Sequence, residues 1–153
     1  MIIQAVTKFD QGRLRNFECY DGSGFSQRVE EIIQGVLFKR WKKRRKSKDP
    51  LFINLAEFGE EVVGVQAYSP FPDEDGLAGS WVLAVSVDWR RNKIGTNLKL
   101  EAMNHAKELG AVGIASFVKP DNNAMNGLNN QWKLERRLDT GTEKGYLATV
   151  IKL

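Results

Sequence analysis

Arg90, Arg91 and Lys93 place three cations within four residues, and Gly95 follows two positions later. A short cationic turn with a glycine where a helix begins suits a polyphosphate. The first backbone N–H groups of a helix have no acceptor inside it, and the dipole leaves that end electropositive. The alternative use of the same residues is a solvated basic turn that binds nothing. Downstream, Asn122 beside Asp121 has the plain role of a helix cap.

The elements around the turn decide whether it can act. Residues 81–87 form an apolar run without polar alternation, which predicts a strand covered on both faces. The turn then runs from Asp88 to Thr96. Beyond it Leu98, Ala102, Ala106 and Leu109 share one helical face, with His105 at its edge and Gly110 as the stop. Residues 112–118 are a second apolar strand. Strand, helix and strand in this order make a βαβ unit, so the two strands are expected to be parallel neighbours.

The remaining chain is punctuated by turns. Residues 2–9 read as an opening strand, and 11–24 as a polar, glycine-marked approach. Ser26 caps a helix with the stripe Val29, Ile32, Ile33, Val36 and Leu37, ended by Asp49-Pro50. Residues 51–57 and 62–68 read as two strands about a turn at Phe58-Gly59, and 69–79 as an acidic loop. After Pro120-Asp121, Met125, Leu128 and Trp132 are spaced for one helical face. Residues 134–138 and 146–153 read as a closing hairpin around Asp139-Thr140-Gly141. No repeat or linker interrupts the chain, and 153 residues predict one domain, 1–153.

Composition narrows the function. Hydrophobic content of 42% and charged content of 27% suit a globular protein, and no apolar run is long enough to span a membrane. The start MIIQAVTKFD lacks a secretory signal, and a single cysteine, Cys19, permits no internal disulfide; a cytoplasmic address is expected. Lys39, Arg40, Lys42, Lys43, Arg44, Arg45, Lys46 and Lys48 form one basic segment. Removing its eight charges from the net +4 leaves −4. Clustered cations around Trp41 fit an anionic partner such as RNA, while a solvated helix end matched to the dipole is the alternative. His105, the one histidine, has no companion ligands, so no metal site is expected. Gly-x-Gly-x-x-Gly and Gly-x4-Gly-Lys-Ser/Thr are both absent from the sequence.

The stretch Val85-Ser86-Val87-Asp88-Trp89-Arg90-Arg91-Asn92-Lys93-Ile94-Gly95 resembles the signature of the GNAT acyltransferase superfamily. There an Arg/Gln-x-x-Gly-x-Gly/Ala loop follows a strand and holds the pyrophosphate of acetyl-CoA. The match runs Arg90, Lys93, Gly95, with lysine in place of the first glycine and Val87 where proline is frequent. The order of elements resembles the GNAT layout over nearly the whole chain. Asn122, Met125, Leu128 and Asn129 repeat a second family spacing, but Lys133-Leu134 replaces the usual Gly-Phe.

The resemblance implies an α/β (α+β) fold: a mixed, mostly antiparallel sheet of about seven strands flanked by helices, with a central parallel βαβ unit. It implies acetyl-CoA as co-substrate and direct acetyl transfer to a primary amine. Loop amides of Arg90, Arg91, Asn92, Lys93, Ile94, Gly95 and Thr96 would hold the pyrophosphate, and Asn122 the pantetheine arm. Backbone groups at Val85 and Val87, on a strand splayed from its neighbour, would bind pantetheine and polarise the thioester.

Asn129 stands where the family carries a tyrosine that protonates the leaving thiolate. Asparagine donates a hydrogen bond but gives up no proton, so Tyr146 or water is the substitute. Glu30, Glu31, Glu57, Glu60 and Glu61 are candidate bases by the expected fold, with solvated carboxylates as the alternative. The basic segment lies where such proteins shape the acceptor site, and aminoacyl-tRNA would supply both phosphates and an α-amine. A homodimer is within the expected partners. The competing reading is a non-catalytic acyl-CoA- or RNA-binding module on the same fold.

Overall fold

The computed structural model describes residues 2–6, 17, 52–118, 121–138 and 147–153. Strands are β1 (Ile2–Val6), β2 (Phe52–Phe58), β3 (Glu61–Ser69), β4 (Leu77–Val85), β5 (Gly113–Val118), β6 (Leu134–Leu138) and β7 (Leu147–Lys152). The helices are α1 (Ile94–Glu108) and α2 (Asn123–Asn129), and a 3-10 turn spans Val87–Trp89. The strands follow the hydrogen-bonded order β1-β2-β3-β4-β5-β7-β6, a mixed sheet of seven strands. β4 and β5 run parallel, whereas β1–β2, β2–β3, β5–β7 and β6–β7 are antiparallel. The α/β class, the mostly antiparallel sheet and the parallel βαβ unit therefore match expectation.

The chain forms two compact units. The first comprises Met1–Tyr68 and Val82–Lys99. Its core joins Ala56, Val63, Ile94 and Leu98, with Ile3, Leu83, Val85 and Trp89 packed against them. A register shift pairs Ala56 with Gly64 and Glu57 with Val62, leaving Val63 as the extra residue of a bulge. The freed Val63 carbonyl accepts from the Ser86 amide at 2.9 Å. Gly64 allows α1 to approach β3: a Cβ there would meet Ile94 Cγ2 at 2.8 Å and Leu98 Cδ1 at 2.9 Å.

The second unit comprises Ser69–Trp81 and Leu100–Leu153. Asp73 Oδ1 accepts from the amides of Asp75 and Leu77 at 2.9 and 3.0 Å, closing the acidic loop and launching β4. The strand thus starts at Leu77, inside what the sequence suggested was loop. α1 ends in a Schellman motif: Ala111 donates to the Ala106 carbonyl and Gly110 to that of Lys107, with Gly110 at φ 89°. This early stop leaves Leu109 outside the helix and exposed, where the apolar stripe predicted burial. Trp132 likewise falls beyond α2.

Residues 7–9 of the expected first strand, the Ser26 helix and its stripe, the basic segment and the Asp139-Thr140-Gly141 turn lie outside the described residues. Among the described residues no helix is long and apolar enough to cross a membrane.

Candidate active site

β4 ends at Val85, and the backbone then folds into the 3-10 turn, with Trp89 donating to Ser86 at 3.0 Å. Val87 therefore leaves the strand and is exposed on the turn, rather than extending β4 as the sequence suggested. Asn92 braces the backbone of this turn. Its Nδ2 donates to the carbonyls of Trp89 at 3.1 Å and Arg90 at 3.3 Å.

Arg91 and Lys93 hold φ of 67° and 58°, and Asn92 between them is not among the positive-φ residues. Backbone that alternates in hand turns successive N–H groups toward one side, the concavity that binds anions. The Lys93 carbonyl accepts the Asn97 amide at 2.9 Å, so α1 begins directly after the second left-handed residue. The first turn of α1 carries no acidic side chain. Arg90, Arg91 and Lys93 are all exposed, while Ile94 is buried and anchors the turn in the core. Val85 at the end of β4, Val87 on the 3-10 turn and residues 90–96 all belong to the first unit.

β4 pairs with β5 only at Leu77↔Gly113, Ala78↔Ile114 and Gly79↔Ala115. Beyond Gly79, β4 continues to Val85 with no further register to β5 among the described residues. β5 meanwhile stays paired with β7 along its entire length, from Gly113↔Lys152 to Val118↔Leu147.

The two candidate asparagines belong to the second unit. Asn122 caps α2, its Oδ1 accepting from the Met125 amide at 3.1 Å. Asn129 sits in the last turn of α2, fully buried, and neither its Nδ2 nor its Oδ1 has a hydrogen-bond partner among the described residues. A buried amide without partners is costly, and such a group is at ease only when something else supplies them. Of the candidate bases, Glu57 is half-buried and Glu60 and Glu61 are exposed at the β2–β3 turn; His105 is half-buried on α1. Glu30, Glu31, Tyr146 and Cys19 lie outside the described residues. Among the described residues no cluster of His, Cys, Asp and Glu could hold a metal ion.

One polar residue was missed by the sequence reading. Lys99 is 1% exposed, and burial lowers its amine from the ordinary 10.5 to about 8. Its spacing to Ala102, Met103 and Ala106, all buried, is the signal that a cation occupies an inward position.

This arrangement is that of a known class of α/β acyltransferases. The acetyltransferase (GNAT) family profile matches residues 16–129, and the chain belongs to that family. Acetyl transfer is its activity at that level. The fold is similar over 100% of both chains to a ribosomal-protein-alanine N-acetyltransferase from Brucella melitensis, at TM-score 0.63 and 18% identity. It is similar to the PaiA N-acetyltransferase of Thermoplasma acidophilum, solved with coenzyme A, at 0.66 and 12%, again over 100% of both chains. The diaminobutyrate acetyltransferase EctA from Paenibacillus lautus, solved with its substrate and coenzyme A, gives 0.60 and 18% over 99% of this chain and 95% of that one. No curated protein sequence matches the chain.

Proposed function

We propose that the chain, acting as a single domain, transfers the acetyl group of acetyl-CoA directly to a primary amine. The observation that carries this reading is the turn with alternating backbone hand at Arg91 and Lys93, set at the start of α1. Its amides and the side chains of Arg90, Arg91 and Lys93 would hold the pyrophosphate, and Gly95 and Thr96 would admit it to the first helical turn. Acetyl-CoA supplies the activated acyl group. Backbone N–H groups near the end of β4, at Val85 and Val87, would polarise the carbonyl; such donors are fixed in place and independent of pH, worth about 3 to 4 kcal/mol each. Asn122 would bond the pantetheine arm, and Asn129 would donate to the sulfur. The acceptor amine, deprotonated, forms the N–C bond as the C–S bond breaks.

The solved relatives bound to coenzyme A support the cofactor, and the acceptor is inferred only as an amine. RNA or aminoacyl-tRNA at Lys39, Arg40, Lys42, Lys43, Arg44, Arg45 and Lys46 is the anionic partner we propose to test. A second reading, a binding module without transfer, draws on Asn129, which has no proton to give. Incubation with acetyl-CoA and a panel of amines decides between them. Amine-dependent release of CoA thiol is the result expected. Salt-sensitive RNA binding that ignores acetyl-CoA, with no thiol released, is the result that favours the module.

A further inference from the structure

We infer that the exposed ring of Phe58, held by Trp89 beside the cationic turn, is the platform on which the adenine of coenzyme A stacks. This platform rests on the acetyltransferase reading above and gives the nucleoside end of the same cofactor its place. Phe58 is 55% exposed. Its ring centroid lies 4.8 Å from that of Trp89, with the two planes tilted by 41°. Trp89 is half-buried and packs against the cluster of Ala56, Val63, Ile94 and Leu98. The core therefore fixes the indole, and the indole braces the phenyl ring, whose remaining surface faces solvent.

Both rings are tied to the turn proposed to hold the diphosphate, and all of these residues belong to the first unit. Ile94, the first residue of α1, is part of the cluster against which Trp89 packs. Asn92, between the two left-handed residues, donates from Nδ2 to the Trp89 carbonyl at 3.1 Å. Trp89 and Arg91 are two peptide units apart, so their Cα atoms are separated by at most about 8 Å. Phe58 itself ends β2, and a tight hairpin turn with Gly59 at φ 63° pairs it with Glu61. A hairpin end and a core-packed tryptophan make a rigid seat for the ring.

Charge decides what the ring receives. Arg90, Arg91 and Lys93 are exposed on the turn, whereas Glu60 and Glu61 are exposed next to Phe58 in the hairpin, and exposed Asp88 precedes Trp89. Phosphates are drawn to the cations and repelled by the carboxylates. A polynucleotide carries a phosphate at every step and would lay charge against the acidic side. Adenine is uncharged at neutral pH, and its exocyclic amino group donates hydrogen bonds, so it suits that side. In coenzyme A one ribose separates adenine from the diphosphate, so a single ligand offers both halves of the pattern. Three cations also match a cofactor that bears a ribose 3′-phosphate besides its diphosphate.

The test uses the full chain, Phe58→Ala and Phe58→Tyr, with coenzyme A and with 4′-phosphopantetheine, which keeps the arm and one phosphate and lacks the nucleoside. By calorimetry Phe58→Ala should lose about tenfold or more in coenzyme A affinity, the worth of one base stacked on an aromatic face. Phe58→Tyr, which keeps that face, should stay within about threefold of the parent. Phosphopantetheine, titrated as a competitor, should bind the parent and Phe58→Ala equally. Unchanged coenzyme A affinity in Phe58→Ala, a Phe58→Tyr as weak as Phe58→Ala, or an equal loss for both ligands overturns the platform and leaves the acetyltransferase reading standing. Loss of binding to an oligoadenylate alone, with coenzyme A unaffected, gives the ring to RNA and overturns it as well. Failure of the parent to bind coenzyme A removes the acetyltransferase reading itself, and the platform with it.

Discussion

Arg91 and Lys93, separated by Asn92, both hold left-handed backbone, at φ 67° and 58°. Side chains with a Cβ pay about 1 to 2 kcal/mol for that conformation, and glycine pays almost nothing. Lys93 stands where the GNAT signature has its first glycine, and the backbone keeps the shape that glycine would give. The lysine is thus a strained substitute that retains the turn and adds a charge. Lys93→Gly should raise stability by about 0.5 to 1 kcal/mol in thermal or urea unfolding and keep coenzyme A affinity within about threefold. A loss of stability would mean that the left-handed backbone is not what limits this position.

Gly95 tests the opposite property of the same turn. It is half-buried in the first turn of α1, where the proposed phosphate site needs close approach to backbone amides. Gly95→Phe should abolish coenzyme A binding measured by calorimetry while leaving the far-ultraviolet circular dichroism of the fold intact. Unchanged affinity would move the phosphate site elsewhere.

Several features were legible because they depend on local chemistry. The strand, cationic turn and helix of the βαβ unit follow from apolar run, glycine and periodicity, and Gly110 marks the true stop of α1. Others depend on tertiary pairing. The early start of β4 needs Asp73 to cap the loop amides, and the exit of Val87 from the strand follows from the Ser86–Val63 bond to a bulged carbonyl. Neither pairing has a period that a linear reading detects. Lys99 escaped for another reason: a lysine in an amphipathic helix is ordinarily solvated, and only the packing around it reveals that this one is not.

Gly64 carries a prediction about how firmly the turn is held. Alanine there would press its methyl group to 2.8 Å from Ile94 Cγ2 and 2.9 Å from Leu98 Cδ1, two residues that anchor the start of α1. Overpacking of this kind costs about 1 to 3 kcal/mol. Gly64→Ala should lower the urea midpoint accordingly and weaken coenzyme A binding, since relief requires moving the helix end proposed to hold the phosphates. A destabilised variant with full affinity would show that the strain is absorbed on the β2–β3 side instead.

Burial of Lys99 also predicts how stability varies with pH. The folded state lowers the amine from 10.5 to about 8, so the unfolded chain holds the proton more tightly. Folding is therefore opposed wherever the lysine is charged, in full below pH about 8, and the opposition fades as pH rises from there to 10.5. The displacement corresponds to about 3 kcal/mol at neutral pH. Lys99→Met should accordingly be the more stable protein at pH 7 by up to about that amount in urea unfolding. Its advantage over the parent should shrink through the alkaline range, where titrations common to both proteins cancel in the difference. An advantage that stayed constant with pH would show that Lys99 keeps its ordinary affinity for the proton in the folded chain.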